Sequence, residues 1–110
     1  MDELLFDHSL NIVKLLKEKN YNKLQESGCI KNISINSINF ILEDYGGEFS
    51  EIDEDEYKKF FRYIKVKDTE CYVTYLDLII DDRRSDLTLI CEISVCGDDI
   101  KIVIDDLHVL

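Results

Sequence analysis

The hydrophobic pattern of this chain changes its period midway along the sequence, and this change limits the folds that the chain can adopt. In the first half, apolar residues such as Leu5, Ile12 and Leu16 recur at the spacing of one helical face. We predict helices over residues 3–19, 21–25 and 34–45, because Gly28 and the Gly46-Gly47 pair are places where a helix can end. Residues 49–56 follow neither period, and we predict a solvated, acidic loop there.

The second half is rich in Val, Ile, Tyr, Phe and Thr, the residues that favour strands. Strands are predicted over residues 61–66, 71–80, 87–95 and 100–109, with turns at 67–68, 81–85 and 97–99. Short connections between consecutive strands favour an antiparallel meander. Helices followed by strands therefore predict a single α+β domain over residues 1–110, with the helices on one face of a four-stranded sheet. Tyr72 and Tyr75 point to opposite faces of their strand, so one of them faces solvent or a partner.

The chain has 24 Asp and Glu residues against 13 Lys and Arg residues, a formal net charge of −11. This excess disfavours nucleic acid, because binding to phosphates relies on cations that displace counterions. It also disfavours anionic membrane surfaces. A basic protein partner is compatible with it, because complementary charge speeds the encounter of two proteins. The surplus of acidic residues could also serve solubility alone, and the net charge does not distinguish this explanation from a basic partner.

The four cysteines are Cys29, Cys71, Cys91 and Cys96. They contain no Cys-x-x-Cys pair, and only two histidines could join them as ligands, so we predict no metal and no cofactor. Each cysteine lies in an apolar or strand-like context that is typical of a small buried hydrophobe. The first residues lack the basic and apolar segments of a secretory signal, which predicts a cytoplasmic protein with reduced thiols.

Carboxylates gather near strand ends in the second half, where they are candidate catalytic acids. They are Asp77, Asp81, Asp82, Asp86, Asp98, Asp99, Asp105 and Asp106. Catalysis needs two acids at a defined distance, whereas aspartates in turns are usually structural. His108 could be a general base, but no nucleophile elbow accompanies it, so a hydrogen bond to Asp105 or Asp106 is favoured. We therefore predict a protein that is not an enzyme.

Two acidic segments form the predicted partner-binding surface. Their members are Glu51, Asp53, Glu54, Asp55 and Glu56 in the first segment and Asp81, Asp82, Asp98 and Asp99 in the second. Tyr57 follows the first segment and is predicted to be an exposed aromatic anchor for the partner. Arg83 and Arg84 are predicted to pair with acidic neighbours at a hairpin, where exposed ion pairs contribute little to stability.

Three short motifs resemble a family of small bacterial proteins: Tyr45-Gly46-Gly47, the segment from Arg84 to Leu89, and the terminus from Asp105 to Leu110. Members of that family pair short N-terminal helices with a Tyr-Gly-Gly turn and end on an Asp-Leu-His-Val-Leu strand, and the similarity covers most of the chain. The resemblance implies no catalytic residues. In general type the chain is also similar to immunity proteins of contact-dependent inhibition and other polymorphic toxin systems, which are small, acidic, cytoplasmic and non-enzymatic.

Three hypotheses about function follow. The leading one is an immunity protein that neutralises a basic, nuclease-type toxin by presenting carboxylates to its active site. The second is a ligand-binding or enzymatic domain of the cystatin-like or nuclear-transport-factor-like kind, with a deep pocket where His108 and an aspartate converge. The third is a structural or regulatory homodimer that forms through an exposed sheet face or an edge strand.

Overall fold

A computed structural model describes residues 2–109 as four helices followed by a four-stranded sheet. The helices are α1 (Asp2–Lys17), α2 (Tyr21–Glu26), α3 (Ile35–Tyr45) and α4 (Glu54–Phe60). The strands are β1 (Arg62–Lys65), β2 (Cys71–Ile80), β3 (Arg83–Cys96) and β4 (Asp99–Val109). Consecutive strands pair antiparallel in the order β1-β2-β3-β4, which confirms the predicted α+β meander. Leu110, the last residue of the terminal motif, lies outside the described residues.

Helix α1 supplies much of the core between the helices and the sheet. Its residues Leu10 and Val13 are almost fully buried in one apolar cluster with Leu76 of β2. Ser9 of α1 and Thr74 of β2 place their hydroxyl oxygens 3.0 Å apart, so these two buried polar groups satisfy each other. None of the helices described has the length and apolar content that a membrane crossing needs.

The predicted loop over residues 49–56 is wrong at its end, because residues 54–56 begin helix α4. Asp53 caps this helix, and its carboxylate accepts hydrogen bonds from the backbone N–H groups of Asp55 and Glu56. Acidic residues fill the first turn of α4, and Lys58 and Lys59 lie in its last turn. The helix dipole interacts favourably with acidic residues in the first turn and lysines in the last. This interaction offsets the repulsion between the neighbouring acidic side chains.

One face of the sheet lies under the helices, and we call the other the open face. Tyr72 lies under the helices, where it is 7% exposed and packs in a cluster with Leu5 and Ile93. Tyr75 lies on the open face, and the guanidinium of Arg62 lies 5.7 Å from the centre of its ring. The prediction that one of the two tyrosines faces outward is therefore confirmed for Tyr75.

The cysteines are free thiols in different surroundings. Cys29 and Cys91 are buried, as predicted, and burial raises the pKa of the Cys91 thiol well above its usual range. Cys71 is partly buried. Cys96 is exposed at the end of β3, so the prediction of a buried hydrophobe is wrong there, because this residue borders the β3–β4 turn.

Candidate functional site

A groove of about 660 Å³ opens where α4 meets the hairpin between β2 and β3. Apolar side chains of Ile52, Phe60 and Ile79 line part of it. We define the acidic groove as Ser50, Glu51, Ile52, Asp53, Glu54, Glu56, Phe60, Ile79, Asp82 and Arg84. Five of its ten residues are acidic and one is basic, so the groove combines an apolar surface with a strongly acidic one.

The groove brings together two predicted segments that are distant in sequence. Asp81 and Asp82 form the turn between β2 and β3 with positive φ angles of 52° and 61°, a conformation that aspartate tolerates. This turn is shorter than the predicted 81–85, because β3 begins at residue 83. The backbone N–H of Asp82 donates to the hydroxyl of Ser50 at 2.6 Å, and the N–H of Ser50 donates to the carbonyl of Ile79 at 3.2 Å. These hydrogen bonds hold the segment before α4 against the hairpin.

Gly47 permits this close approach of the two segments. Its φ angle is 79°, in the region that favours glycine. A Cβ atom at this position would lie 2.5 Å from Cγ2 of Ile80 and 2.7 Å from a carboxylate oxygen of Asp81. The second glycine of the Tyr-Gly-Gly turn is therefore required for the packing of this segment against the hairpin.

Three carboxylates of the groove lie close to lysines on the surface. The pairs are Glu51 with Lys17 at 3.6 Å, Glu54 with Lys14 at 3.9 Å and Glu56 with Lys59 at 2.8 Å. In each pair the carboxylate side chain is about half exposed or more. Ion pairs this exposed contribute little to stability, because water solvates both charges almost as well. A cationic partner can therefore replace these lysines at little cost.

The structure separates the remaining predicted acidic residues. Asp55 is exposed in the first turn of α4 but does not line the groove. Asp81 supports the groove wall by accepting a hydrogen bond from the N–H of Glu48 at 3.0 Å. Asp98 and Asp99 lie at the turn between β3 and β4, at the opposite end of β3 from the groove. The predicted second patch is thus two patches, of which only the Asp81-Asp82 turn belongs to the site.

The prediction of an exposed anchor at Tyr57 is wrong. Tyr57 is 1% exposed and packs in the main apolar cluster. Its hydroxyl accepts a hydrogen bond from the backbone N–H of Ile79 at 3.1 Å. Burial is the main reason why the pKa of Tyr57 is raised. Tyr57 therefore fastens α4 to β2 beneath the groove, and the partly buried Phe60 is the aromatic residue that lines it.

One buried carboxylate, which the sequence analysis named only among the candidate catalytic acids, supports the groove. The side chain of Asp77 is 4% exposed and lies 2.6 Å from Nη2 of Arg84 and 3.3 Å from Nη2 of Arg62. Thr88 donates a hydrogen bond to it at 2.7 Å. Burial raises the pKa of Asp77, but the hydrogen bonds from Thr88, Arg84 and Arg62 outweigh burial and hold it below the ordinary value.

Arg84 connects this buried carboxylate to the groove. Its guanidinium carbon lies 4.1 Å from the centre of the Phe60 ring, a cation–π contact, while its nitrogens bind Asp77. The predicted pairing of Arg84 with exposed neighbours at the hairpin is therefore corrected to a pairing with a buried residue. Arg84 is thus already paired with an anion, and the other charged residues that line the groove are all acidic.

His108 and Asp106 form a hydrogen bond, as predicted, with Nδ1 and Oδ2 2.6 Å apart. Both side chains are almost half exposed, and they border a shallow depression of about 280 Å³ against α3. The described residues that line this depression include no Ser, Thr or Cys.

A family model described as a domain of unknown function (DUF7668) matches residues 13–110. The match includes the acidic groove, the whole sheet and the Asp77 cluster, by which we mean Asp77 with Arg62, Arg84 and Thr88. No curated protein and no solved structure matches the chain.

Proposed function

The chain belongs to the DUF7668 family, and we propose that it is a non-enzymatic binding protein, an immunity protein whose acidic groove docks onto a basic, nuclease-type toxin domain in the cytoplasm. One observation carries the proposal. Carboxylates from two distant segments line a single groove whose one arginine is already paired with Asp77.

The groove has the chemistry that a cationic protein surface requires. A nuclease must present lysines and arginines to grip phosphates, so its active site is a basic surface. Carboxylates at the rim of the groove match that surface in charge and accelerate encounter. The apolar residues Ile52, Phe60 and Ile79 provide a surface where an aliphatic stem or an aromatic side chain of the toxin can be buried.

The lysines around the groove are part of this mechanism. Lys14 and Lys17 of α1 lie beside Glu54 and Glu51 in the free protein. When the toxin docks, its lysines and arginines form ion pairs with these carboxylates, and the ammonium groups of Lys14 and Lys17 become solvated by water. The exchange costs little because both ion pairs are exposed.

Affinity capture from the native host tests the proposal. The tagged protein is compared with a groove variant, Glu51→Lys with Glu54→Lys, and with a charge-matched control, Asp98→Lys with Asp99→Lys, at the distant hairpin. We expect the wild type and the control to retain a basic protein that is toxic when it is expressed alone, and the groove variant to lose it. Equal retention by the two variants, or capture of no basic toxin by the wild type, would contradict the proposal.

A further inference from the structure

The open face of the sheet carries a group of apolar residues among polar ones, whereas solvated sheet faces are usually polar. The apolar residues lie in two adjacent rows across the four strands and are Ile64, Val73, Tyr75, Ile90 and Val103. Ile64 is 56% exposed, and Ile90, although buried, belongs to neither of the apolar clusters that lie against the helices. Apolar residues that lie side by side on a solvent-facing sheet surface are typical of an interaction surface.

Charges on the open face follow a definite order across the strands. One row of paired residues runs Arg62, Tyr75, Ile90, Asp106 from β1 to β4. A cation therefore lies at one edge of the sheet and an anion at the other, with two apolar residues between them.

The next row places apolar residues at both edges of the sheet. It runs Ile64, Val73, Glu92, Val103 from β1 to β4. Its only charged residue, Glu92, is on the inner strand β3. Apart from Glu92, the inner residues of the two rows are apolar, and the two ends of the first row carry opposite charges.

We propose that the open face binds the same face of a second copy of this chain through a two-fold axis parallel to the strands. Such an axis reverses each row end for end. Arg62 then faces Asp106 of the second copy, Tyr75 faces its Ile90, and each contact occurs twice. In the next row Ile64 faces Val103, and Glu92 opposite Val73 is the one mismatch.

Charge explains why a second copy fits this face better than a basic partner. Two copies with a formal charge of −11 repel each other over most of their surfaces. At the open face, Arg62, Lys101 and the Asp77-bound Arg84 accompany Asp77, Glu92 and Asp106, so this face lacks the surplus of acid. A cationic toxin is not attracted to it. The inference does not depend on the function proposed for the acidic groove.

The size of the face predicts a weak dimer. Four strands spaced about 4.8 Å apart make a face roughly 15 Å wide. We expect a face this narrow to bury less than about 1,200 Å² in total, and interfaces of that size belong to weak complexes. We therefore expect dissociation in the micromolar range.

Analytical ultracentrifugation of the full chain from about 1 to 500 μM, the range in which weak interfaces dissociate, tests the dimer. The wild type should change from monomer to dimer across this range. Ile64→Glu should weaken association at least tenfold. The matched control is Phe40→Glu on α3, which places the same charge at a side chain that is 68% exposed in the helical layer, and it should dimerise like the wild type. A wild type that stays monomeric throughout, or equal behaviour of the two variants, would overturn the proposal.

A mixture of variants tests the position of the two-fold axis. Ile64→Glu and Val103→Lys should each dimerise poorly alone, because a charge then faces an apolar residue. Mixed together, they should form a heterodimer in which the new glutamate faces the new lysine and the second contact is the native apolar one. Circular dichroism confirms that both variants are folded. Recovery of dimer in the mixture supports the axis, and absence of recovery contradicts it.

Discussion

Asp77 is paired with Arg84, which lines the acidic groove, yet Asp77 and the carboxylates of the groove differ greatly in exposure. The Asp77 side chain is 4% exposed and is bound by two arginines and a threonine. Glu51 is fully exposed and Glu54 more than half exposed, and each faces one lysine on the surface. The comparison teaches that exposure decides what a carboxylate does here. The buried one holds the fold together, and the exposed ones remain available to a partner.

Replacing Asp77 should have the largest effect on stability. Asp77→Ala leaves Arg62 and Arg84 without their shared anion and Thr88 without its acceptor. We expect a loss of about 3 kcal/mol in the free energy of unfolding, at the low end for a broken buried pair because both arginines can turn to water. Urea unfolding measures this loss, with Glu54→Ala as the control. Equal stability of the two variants would remove the distinction between the regions.

Tyr57→Phe should have the next largest effect. The variant keeps the buried ring but leaves the N–H of Ile79 without an acceptor, which should cost about 1–2 kcal/mol. Urea unfolding measures the loss of stability, and binding to the captured partner should stay unchanged. A variant of wild-type stability with weakened binding would restore Tyr57 to the role of an exposed anchor.

Acid should remove part of the stabilisation that Asp77 provides. Its pKa in the folded protein is depressed, so its contribution is complete above the pKa of the unfolded chain, about 3.9. The contribution is lost as the pH falls below that value and through the folded pKa. The effect should be smaller than that of Asp77→Ala, because the protonated side chain still accepts a hydrogen bond. The difference in stability between wild type and Asp77→Asn should therefore narrow from pH 5 to pH 2, and a constant difference would contradict the assignment.

Reversing charges in the groove should barely change stability. Glu51→Lys with Glu54→Lys removes two exposed ion pairs, and the expected change is within about 0.5 kcal/mol. Urea unfolding of this variant, compared with Asp98→Lys with Asp99→Lys, measures it. A loss of several kcal/mol would show that these carboxylates maintain the fold, as Asp77 does.

The change of period predicted the α+β meander well, because local patterns determine local structure. Alternation along residues 87–95 identified β3, and Gly46 and Gly47 identified the end of α3 through their positive φ angles. Helix α4 was missed although its signals were present. Asp53 is an N-cap residue, and the acids after it precede two lysines, which is the order that a helix dipole favours.

The groove and the Asp77 cluster could not be predicted in the same way, because they depend on register and on packing between distant segments. Nothing in the sequence shows that Asp77 meets Arg62, 15 residues before it, and Arg84, seven residues after it, across two neighbouring strands. The burial of Tyr57 likewise follows from the way α4 packs against β2. The acidic character of the site was predictable from composition, and its geometry was not.

The rate of association with the captured toxin, measured by stopped flow at several salt concentrations, tests the role of the acidic groove most directly. We predict that Glu51→Lys with Glu54→Lys slows association at least tenfold at low salt and weakens its dependence on salt, because these charges steer the encounter. Asp98→Lys with Asp99→Lys, which makes the same change in net charge at the far end of β3, should slow it much less. Equal slowing by both variants, or no slowing by the groove variant, would contradict a specific role for the groove.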